Sequence, residues 1–383
     1  MTIAPVSNGF SHTYQTASVK DWCQRHNAPF HVKLPERPGL TYGPWYGPDP
    51  GVAEPINFNQ PEAYLAEVSD CHVLGGVGVV IQGEEALLDI ALGNPRFDLS
   101  SPLLPMVNRE RIIVEVGSIS EDTITEGILL QSFFASNYHH WMVEHLPKLL
   151  LLDDVPSRVP LLVDSSAMAI PQMVAALRAV TERPVISLDW GVLAHVEKLY
   201  VPSNLFWTGP NLKRGLHVEV GDVLVSREAI EWLRAYLAPT EPGRRRIYVD
   251  RQAVMAPVRL RNGVAVQQVF AEFGFETVRP AEMTFTEQLD VFGDAAYIAG
   301  ESGAAMTNVL LAPSSAIMIC MQAQRWPLNI YADLATYSGQ RNLFIVGDAS
   351  AGSVDEAGGH TYQAAFTVDP DSLRDTLSRI LVA

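Results

Sequence analysis

Residues 295–319 read A-A-Y-I-A-G-E-S-G-A-A-M-T-N-V-L-L-A-P-S-S-A-I-M-I, and the pattern of this stretch predicts the fold class. A short apolar run from Ala295 to Ala299 predicts a strand, which breaks at the turn G-E-S-G. The pattern next predicts a helix from Ala304 to Ala312, ended by Pro313, and a second strand from Ala316 to Cys320. This order of strand, turn, helix and strand is typical of a parallel α/β sheet.

The turn in this unit is a candidate anion site. Backbone N–H groups at the start of a helix carry partial positive charge, and Gly303, Ala304 and Ala305 have no bulk to keep a phosphate away. Thr307 and Asn308 add side chains that can donate hydrogen bonds. The alternative is that the small residues only allow the helix to pack tightly on the strand.

The same letters support a rival interpretation. G-E-S-G-A nearly matches the G-x-S-x-G turn that presents the nucleophile of serine esterases, with Ser302 as the nucleophile and Ala304 in place of the last glycine. No H-G-G-type oxyanion loop accompanies it, and the downstream His360 lies in a glycine-rich tail. The esterase is therefore the weaker alternative.

Composition bounds the class of protein. A chain of 383 residues has room for two domains, and 27 basic against 43 acidic side chains leave a net charge of −16. This charge argues against a nucleic-acid partner or an anionic membrane surface. Three scattered cysteines predict neither a disulfide framework nor a metal site. Lacking a signal peptide and a membrane-spanning run, the sequence predicts a cytoplasmic protein, and a homo-oligomer is an open alternative.

A helix is predicted across N-Y-H-H-W-M-V-E-H-L-P-K-L-L-L-L, from Asn137 to Leu152, with Asn137 as its N-cap and Pro147 kinking or dividing it. Residues four apart are neighbours on a helix, so His140 falls beside Glu144. An imidazole next to a carboxylate is a candidate pair for proton transfer. The alternative is a solvent-facing ion pair on the helix surface.

The rest of the chain suggests two domains. Residues 1–135 contain accessory strands and a turn-rich passage, Leu34 to Gly51, that is predicted to lack regular structure. Its aromatic residues Tyr42, Trp45 and Tyr46 either line a sugar site or pin the loop to the core. Alternating strands and helices follow over 136–220, which completes an N-terminal domain of 1–220, and a second α/β domain covers 221–383 and ends in a helix.

A basic cluster begins the second domain. The strand R-R-R-I-Y-V-D-R ends at Arg251, and a loop carrying Arg259 and Arg261 follows. Arginines at the end of a strand suit contacts to a phosphate through two N–H groups at once. The alternative is that some of them are ordinary surface charges.

Three segments taken in order resemble glycosyltransferase family 61. Asn137 to Pro147 is similar to the family's N-Y-x-H-W-x-x-E-x-L-P, and Ile247 to Arg251 is similar to its I-Y-V-S-R strand. Gly274 to Pro313 follows its G-F-x … P-E-x-x-S-F-x-E-Q … G-x-H-G-A-G-L-T-N-x-x-F-A-P pattern. The resemblance covers about Gln131 to Gly347, and one segment departs from it: Glu301 to Ala305 stands where the family has P-H-G-A-G.

The resemblance implies a GT-B architecture, two Rossmann-like domains facing a cleft. It implies an inverting transfer of a sugar from a nucleoside-diphosphate sugar to an acceptor hydroxyl on a polysaccharide or a small metabolite. His140 and Glu144 are then the expected catalytic pair, and either one is a candidate base. Arg251, aided by Arg259 or Arg261, would bind the donor with the turn, so neither a metal nor a cofactor is expected. An inactive relative that only binds nucleotide sugars is the remaining alternative.

Overall fold

The structure is a computed structural model that describes residues 9–89, 96–99, 101–209, 211–213, 216, 219, 222–251, 259–323, 329–349 and 364–382. The chain divides into two compact units. The first comprises residues 1–38 and 59–213, and the second comprises residues 39–58 and 214–383. Both combine helices with sheets, and no described helix is long and apolar enough to cross a membrane.

The first unit is dominated by strands, with short helices on them. Its helices are α1 (Val19–His26), α2 (Tyr138–His140), α3 (Ser165–Met168) and α4 (Pro171–Val180). Two strands, β3 (Arg37–Tyr42) and β4 (Pro55–Gln60), lie mostly in residues 39–58 and so belong largely to the second unit. The strands of the first unit are β1 (Phe10–Ala17), β2 (Phe30–Leu34), β5 (Ala63–Leu74), β6 (Val79–Gln82), β7 (Glu85–Leu87), β8 (Phe97–Asp98), β9 (Met106–Val107), β10 (Arg111–Val116), β11 (Ser118–Leu129), β12 (Leu161–Asp164), β13 (Val185–Leu188), β14 (Val192–Pro202), β15 (Phe206–Trp207) and β16 (Asn211–Leu212).

Among the described residues, eleven of these strands form one mixed sheet. Ten of them run in the order β13-β12-β11-β14-β5-β6-β7-β1-β10-β9, and β2 pairs with β5. The strands predicted as an accessory region therefore share a sheet with those of the α/β part, because β14 pairs antiparallel with β5 from Leu193 to Pro202. The parallel strands β11, β12 and β13 lie at one end, and β11 leads into the candidate site.

The second unit contains a sheet of five parallel strands. Its strands are β17 (Leu224–Val225), β18 (Arg245–Val249), β19 (Glu276–Val278), β20 (Ala295–Glu301), β21 (Ile317–Gln322), β22 (Arg341–Val346), β23 (Asp348–Ala349) and β24 (Phe366–Thr367). Its helices are α5 (Arg227–Leu237), α6 (Gly263–Glu272), α7 (Phe285–Gly293), α8 (Ile330–Tyr337) and α9 (Pro370–Val382), and short 3₁₀ helices cover Pro280–Glu282 and Ala304–Leu311.

The strand order of this parallel sheet is β19-β18-β20-β21-β22. In chain order this is 2-1-3-4-5, so the connections leave in opposite directions from β18 and β20. In open α/β sheets, ligands bind at the carboxyl ends of the two strands on either side of such a reversal. In this unit, the residues that follow β18 and β20 occupy that position.

The stretch that decided the prediction lies in this sheet. Both strands are confirmed, as β20 and β21, which pair in parallel. The predicted helix is present, but residues Ala304–Leu311 form a 3₁₀ helix and not an α-helix. Its first bond runs from the Met306 N–H to the Gly303 carbonyl over 2.8 Å, the three-residue spacing of the tighter helix.

The prediction that Leu34 to Gly51 lacks regular structure is wrong, because β3 lies inside it. Among the described residues, β3 pairs with β4 in a two-stranded sheet, so the other edge of β3 has no neighbouring strand. A proline such as Pro38 is tolerated on that edge, because no backbone N–H is needed there. Residues 39–58 bind the second unit through the buried Asp333, which accepts hydrogen bonds from the Thr41 hydroxyl at 2.7 Å and the Tyr42 N–H at 2.6 Å.

The aromatic residues of this segment contact the second unit's core. Tyr42 packs edge-on against Tyr337, with ring centroids 6.0 Å apart, and Tyr46 lies 6.1 Å from Phe344. The Trp45 backbone N–H donates to the Asn342 side chain over 3.2 Å. These contacts support the packing interpretation of the aromatic residues over the sugar-site one.

Candidate functional site

The passage predicted as one helix from Asn137 to Leu152 consists of three short helical segments of different types. Asn137 is the N-cap, as predicted, since its side chain accepts from the His139 N–H at 2.9 Å. The short α-helix α2 is followed by a π-helix, Trp141–His145, and then by a 3₁₀ helix, Leu146–Leu151, which has Pro147 in its first turn. The change at the proline was predicted, whereas the π-helix was not; single π turns occur frequently at functional sites.

His140 and Glu144 lie together in this passage. The Nδ1 of His140 is 2.9 Å from Oε2 of Glu144, and the hydroxyl of Ser132 donates to the other carboxylate oxygen over 2.5 Å. The side chains of His140 and Glu144 are only 18% and 7% exposed. The alternative of a solvent-facing ion pair is therefore wrong, because the carboxylate is buried and both of its oxygens are engaged.

Charge and hydrogen bonds keep Glu144 ionised. Burial on its own raises the pKa of this carboxyl, but the hydrogen bond from His140 and the electrostatic effect of the neighbouring His145, His140 and Lys148 side chains outweigh burial and lower the pKa to about 2. At neutral pH the carboxylate can only accept hydrogen bonds. The Nδ1 of His140 must then carry a proton and donate it.

This arrangement leaves the second ring nitrogen of His140 with its lone pair. In a neutral imidazole only one nitrogen is protonated, so a proton fixed on Nδ1 makes Nε2 the basic atom. No group in the described part of the chain forms a hydrogen bond with Nε2 of His140. The pair can thus accept one proton from outside, and the atom that accepts it is Nε2.

Two buried contacts hold the backbone around the pair. The indole N–H of Trp141 donates to the Met173 carbonyl in α4 over 3.0 Å, and Nδ1 of His145 lies 3.0 Å from the Leu130 carbonyl at the end of β11. His145 is fully buried, and desolvation lowers its pKa to about 4. It is therefore neutral and structural, and it fixes the π-helix against the sheet.

Lys148 lies behind the pair. It is almost fully buried, and desolvation lowers its pKa although Glu144 and Asp89 both favour its charged form. Lys148, Asp89, Gln131 and Ser132 line a cavity of about 30 Å³, large enough for a single water. The signal for Lys148 was present in the sequence, because it is the one charged residue in the apolar run L-P-K-L-L-L-L.

Aromatic rings surround the imidazole of His140. The ring of Phe134 lies 5.0 Å away, and the rings of Phe206 and His139 meet it edge-on at 5.8 and 5.6 Å. Sequence reasoning found none of these contacts. Phe206 is 66 residues further along the chain, and nothing in the local pattern connects it with the helix.

A second cluster occupies the reversal of the parallel sheet. The guanidinium groups of Arg251, just after β18, and Arg259 both donate to the Ser302 carbonyl, just after β20. The carboxylate of Glu301 lies 3.7 Å from Arg251 and 3.8 Å from Arg259. Its Oε2 is buried and has no hydrogen-bond partner among the described residues. Arg251 and Arg259 thus both form a long ion pair with Glu301, and neither donates a short hydrogen bond to its carboxylate.

The backbone of Gly303 lies against the two arginines. A Cβ built at this position would lie 2.2 Å from a guanidinium nitrogen of Arg251 and 3.0 Å from one of Arg259. The space that was expected to admit a phosphate is taken by the two arginines. Ala304 and Ala305 are half-buried, and their N–H groups head the 3₁₀ helix, where no helical carbonyl precedes them.

Thr307 and Asn308 lie behind the turn. Both are buried, and the Asn308 amide donates to the Gln288 side chain of α7 over 2.8 Å. A ligand that approaches from solvent cannot reach them in this conformation. They support the 3₁₀ helix from the protein interior, whereas the sequence had suggested that they contact an anion.

The other arginines of the basic cluster are occupied or distant. Arg244 binds Asp294, Arg245 binds Glu276, and the Arg246 guanidinium donates to the Phe273 carbonyl over 2.8 Å. Arg261 is exposed, and in the described residues its side chain makes no contact with the turn. Of the three predicted phosphate ligands, Arg251 and Arg259 lie together and Arg261 does not join them.

The structure gives no support to the esterase alternative. Ser302 is buried, its N–H donates to the Met321 carbonyl over 2.9 Å, and its carbonyl receives the two arginines. No histidine in the described ranges forms a hydrogen bond with it. Nor do those ranges contain a group of three or more His, Cys, Asp or Glu side chains that could hold a metal ion.

The family model described as Glycosyltransferase 61 matches residues 138–319 of the chain. The matched segment includes His140 and Glu144 as well as Arg251, Arg259 and the turn at Ser302. The resemblance based on the three motifs is thereby confirmed. No curated protein is similar enough to this chain to count as a match.

Proposed function

We propose that this protein transfers a sugar from a nucleoside-diphosphate sugar to an acceptor hydroxyl and inverts the configuration at the transferred carbon, a proposal supported by the match of residues 138–319 to the glycosyltransferase family 61 model. His140 is the base in this proposal, and Arg251 and Arg259 bind the diphosphate. The GT-B arrangement implied by the sequence resemblance remains part of the proposal, as does a polysaccharide or small metabolite as the acceptor.

The observation that carries the proposal is the pairing of His140 with a buried, ionised Glu144. Both carboxylate oxygens are occupied, by Ser132 and by His140 itself, so Glu144 has no free oxygen for an acceptor hydroxyl. The imidazole is the more exposed partner, and none of the described residues forms a hydrogen bond with its Nε2. This geometry favours His140 as the base and Glu144 as the group that orients it, and it disfavours the reverse assignment.

The chemical step requires a base for the acceptor hydroxyl and a leaving group that departs from the anomeric carbon. Nε2 of His140 removes the proton of the acceptor hydroxyl as the oxygen attacks the anomeric carbon from the face opposite the diphosphate. Glu144 stabilises the imidazolium that forms. The nucleoside diphosphate leaves with the electron pair of the broken C–O bond, and attack from the opposite face inverts the configuration.

The donor site is supported by position and charge. Arg251 and Arg259 lie where the strand order reverses, the place at which open parallel sheets bind ligands. Two guanidinium groups, together with the leading N–H groups of the 3₁₀ helix, stabilise the negative charge that develops on a departing diphosphate. In this proposal the two arginines supply the positive charge at the diphosphate, so that no divalent metal is needed there.

Thermal shift of the full chain with UDP, GDP, dTDP and their common sugar derivatives tests the donor site. We expect at least one diphosphate to stabilise the protein and the corresponding monosaccharide alone to have no effect. A nucleotide sugar that binds is then incubated with mixed glycoside acceptors, and NMR of the product reports its anomeric configuration. Retention of configuration, or no stabilisation by any nucleotide, would contradict the proposal.

A further inference from the structure

Phe134 combines three features that its surroundings do not require. It lies in a turn over residues 133–136 with φ of 59°, in the left-handed region that a bulky residue rarely adopts. It is 41% exposed, although it is a large apolar side chain. Its ring lies 5.0 Å from the ring of His140, the proposed base.

The turn is built to hold this ring outward. Phe133 and Ala135 on either side are buried, and the Asn137 N–H closes the turn onto the Phe134 carbonyl over 2.8 Å. Glycine or asparagine would meet the backbone requirement without strain, so the turn itself does not call for phenylalanine. Strained residues persist when the surrounding structure fixes them, and they concentrate at functional sites.

Polar residues follow Phe134 in the chain. Ser136 and Asn137, two and three residues further on, are both exposed, so hydrogen-bonding groups occur in the same short segment as an exposed aromatic ring that lies close to a base. A pyranose ring has the matching chemistry, since its axial C–H groups form one apolar face and its hydroxyls point outward. An aromatic face packs well against such C–H groups, and the hydroxyls can bind polar groups of the surrounding segment.

We propose that Phe134 is the platform on which a pyranose ring of the acceptor stacks, so that the acceptor is a carbohydrate. This inference rests on the proposed function, because it assigns the exposed ring to the acceptor of the same transfer. Phe134 acts as a specificity-determining residue. It selects a ring with an apolar face and places the adjoining hydroxyl near Nε2 of His140.

Saturation-transfer NMR on the full chain tests the platform without a donor. The probes are methyl β-D-xylopyranoside and methyl β-D-galactopyranoside, each matched with its alditol, xylitol or galactitol, which has similar hydroxyls but no ring face. The third probe is p-cresol, a flat aromatic alcohol. Wild type is compared with Phe134→Tyr, which keeps the aromatic face, and Phe134→Leu, which keeps apolar cover over His140 but removes that face.

We expect saturation transfer to the axial C–H protons of the glycosides with wild type and Phe134→Tyr. With Phe134→Leu the transfer falls by roughly threefold to tenfold, the effect that one aromatic contact contributes. The alditols receive little transfer from any of the three proteins. Because Phe134 is exposed, all three proteins are expected to melt at similar temperatures.

Three results would overturn the inference: no transfer from wild type to either glycoside, equal transfer from Phe134→Leu, or binding of p-cresol in place of the glycosides. The last would identify an aromatic acceptor. Since none of these measurements uses a nucleotide, they are separate from the donor test. Glycoside binding in a protein that no nucleotide stabilises would count against the proposed function and leave the stacking site intact.

Discussion

The imidazole of His140 and the carboxylate of Glu144 are joined by a 2.9 Å hydrogen bond across a π-helical turn, with the carboxylate on the buried side. The histidine therefore faces outward with one nitrogen fixed in its protonated form and the other available. Removing the orienting group tests this relationship first. Glu144→Gln can still accept a hydrogen bond but has no charge to stabilise the imidazolium, so turnover is expected to fall by roughly 10²-fold or more.

Ser132→Ala is the matched comparison for Glu144→Gln. It removes the hydrogen bond to the other carboxylate oxygen and leaves the charge in place. We expect a smaller loss of turnover, on the order of tenfold, since a hydrogen bond to a charged group contributes about 1.5–3 kcal/mol and only part of this is specific to the transition state. A larger effect of Ser132→Ala than of Glu144→Gln would show that Glu144 is not the orienting charge.

Arg251→Ala is expected to weaken nucleoside-diphosphate binding by about 1.5–3 kcal/mol, because a charge-assisted hydrogen bond is lost at a partly buried site. Arg261→Ala is the control, as it removes the same charge from an exposed position in the same basic segment. Isothermal titration of both variants gives the comparison. If the two variants bind equally well, or if EDTA abolishes binding to wild type, the arginines are not the diphosphate ligands.

Glu301 is expected to oppose donor binding. Its carboxylate lies 3.7 and 3.8 Å from the two arginines and carries the same sign of charge as the ligand. Glu301→Gln keeps the shape and removes the charge, so we expect nucleoside-diphosphate affinity to rise by roughly threefold to tenfold, about 0.7–1.4 kcal/mol.

Glu276→Gln, at a surface ion pair with Arg245 elsewhere in the same sheet, is the control for Glu301→Gln and is expected to leave nucleotide affinity unchanged. Weaker binding by Glu301→Gln would mean that the carboxylate holds the arginines in their binding position. In that case Glu301 would support the site and not compete with the ligand.

His145 is expected to make the fold sensitive to acid. Burial lowers its pKa from 6.5 to about 4, so the unfolded chain binds a proton more readily than the folded one between these pH values. Stability therefore falls as the pH drops below 6.5, by up to about 1.4 kcal/mol per pH unit. Asp333, whose pKa burial raises to about 7, acts in the opposite direction, since its folded form takes up a proton more readily below pH 7.

The effect of His145 is isolated by comparison with His145→Asn, which can still donate to the Leu130 carbonyl. Urea unfolding at pH 7.5 and 5.5 gives the free energies. We expect the variant to lose less stability than wild type between the two pH values, with the contribution of Asp333 cancelling in the difference. Parallel pH profiles would show that His145 is not buried as a neutral ring.

Local patterns predicted the elements whose signal lies within the element itself. The two strands in residues 295–319, the strand before Arg251 and the C-terminal helix follow apolar runs of their own. The N-cap at Asn137 follows from its residue type, and the His140–Glu144 contact follows from a spacing of four residues. The predictions that failed concerned segments whose structure depends on contacts with distant parts of the chain. Residues 39–58 belong to the second unit because Asp333 and Asn342, almost 300 residues later, bind them.

The candidate site shows the same division. The residue types and their spacing indicated His140, Glu144 and Arg251, but Ser132, Phe134 and Phe206 reach the pair through the fold of the chain. Burial could not be deduced either: an imidazole–carboxylate pair at helical spacing is a surface contact or a buried one according to what packs over it. The sequence suggested that Thr307 and Asn308 contact the ligand, because it does not show that Asn308 donates to Gln288 in the folded chain.

Turnover of His140→Ala measures the role of His140 as the base. The assay measures nucleoside-diphosphate release from the donor that stabilises wild type, in the presence of an acceptor that wild type glycosylates. We expect turnover to fall by roughly 10²-fold or more while nucleotide affinity, which belongs to Arg251 and Arg259, stays within about twofold of wild type. If His140→Ala instead transfers sugar at a rate near that of wild type, His140 is not the base and the account of the site is wrong.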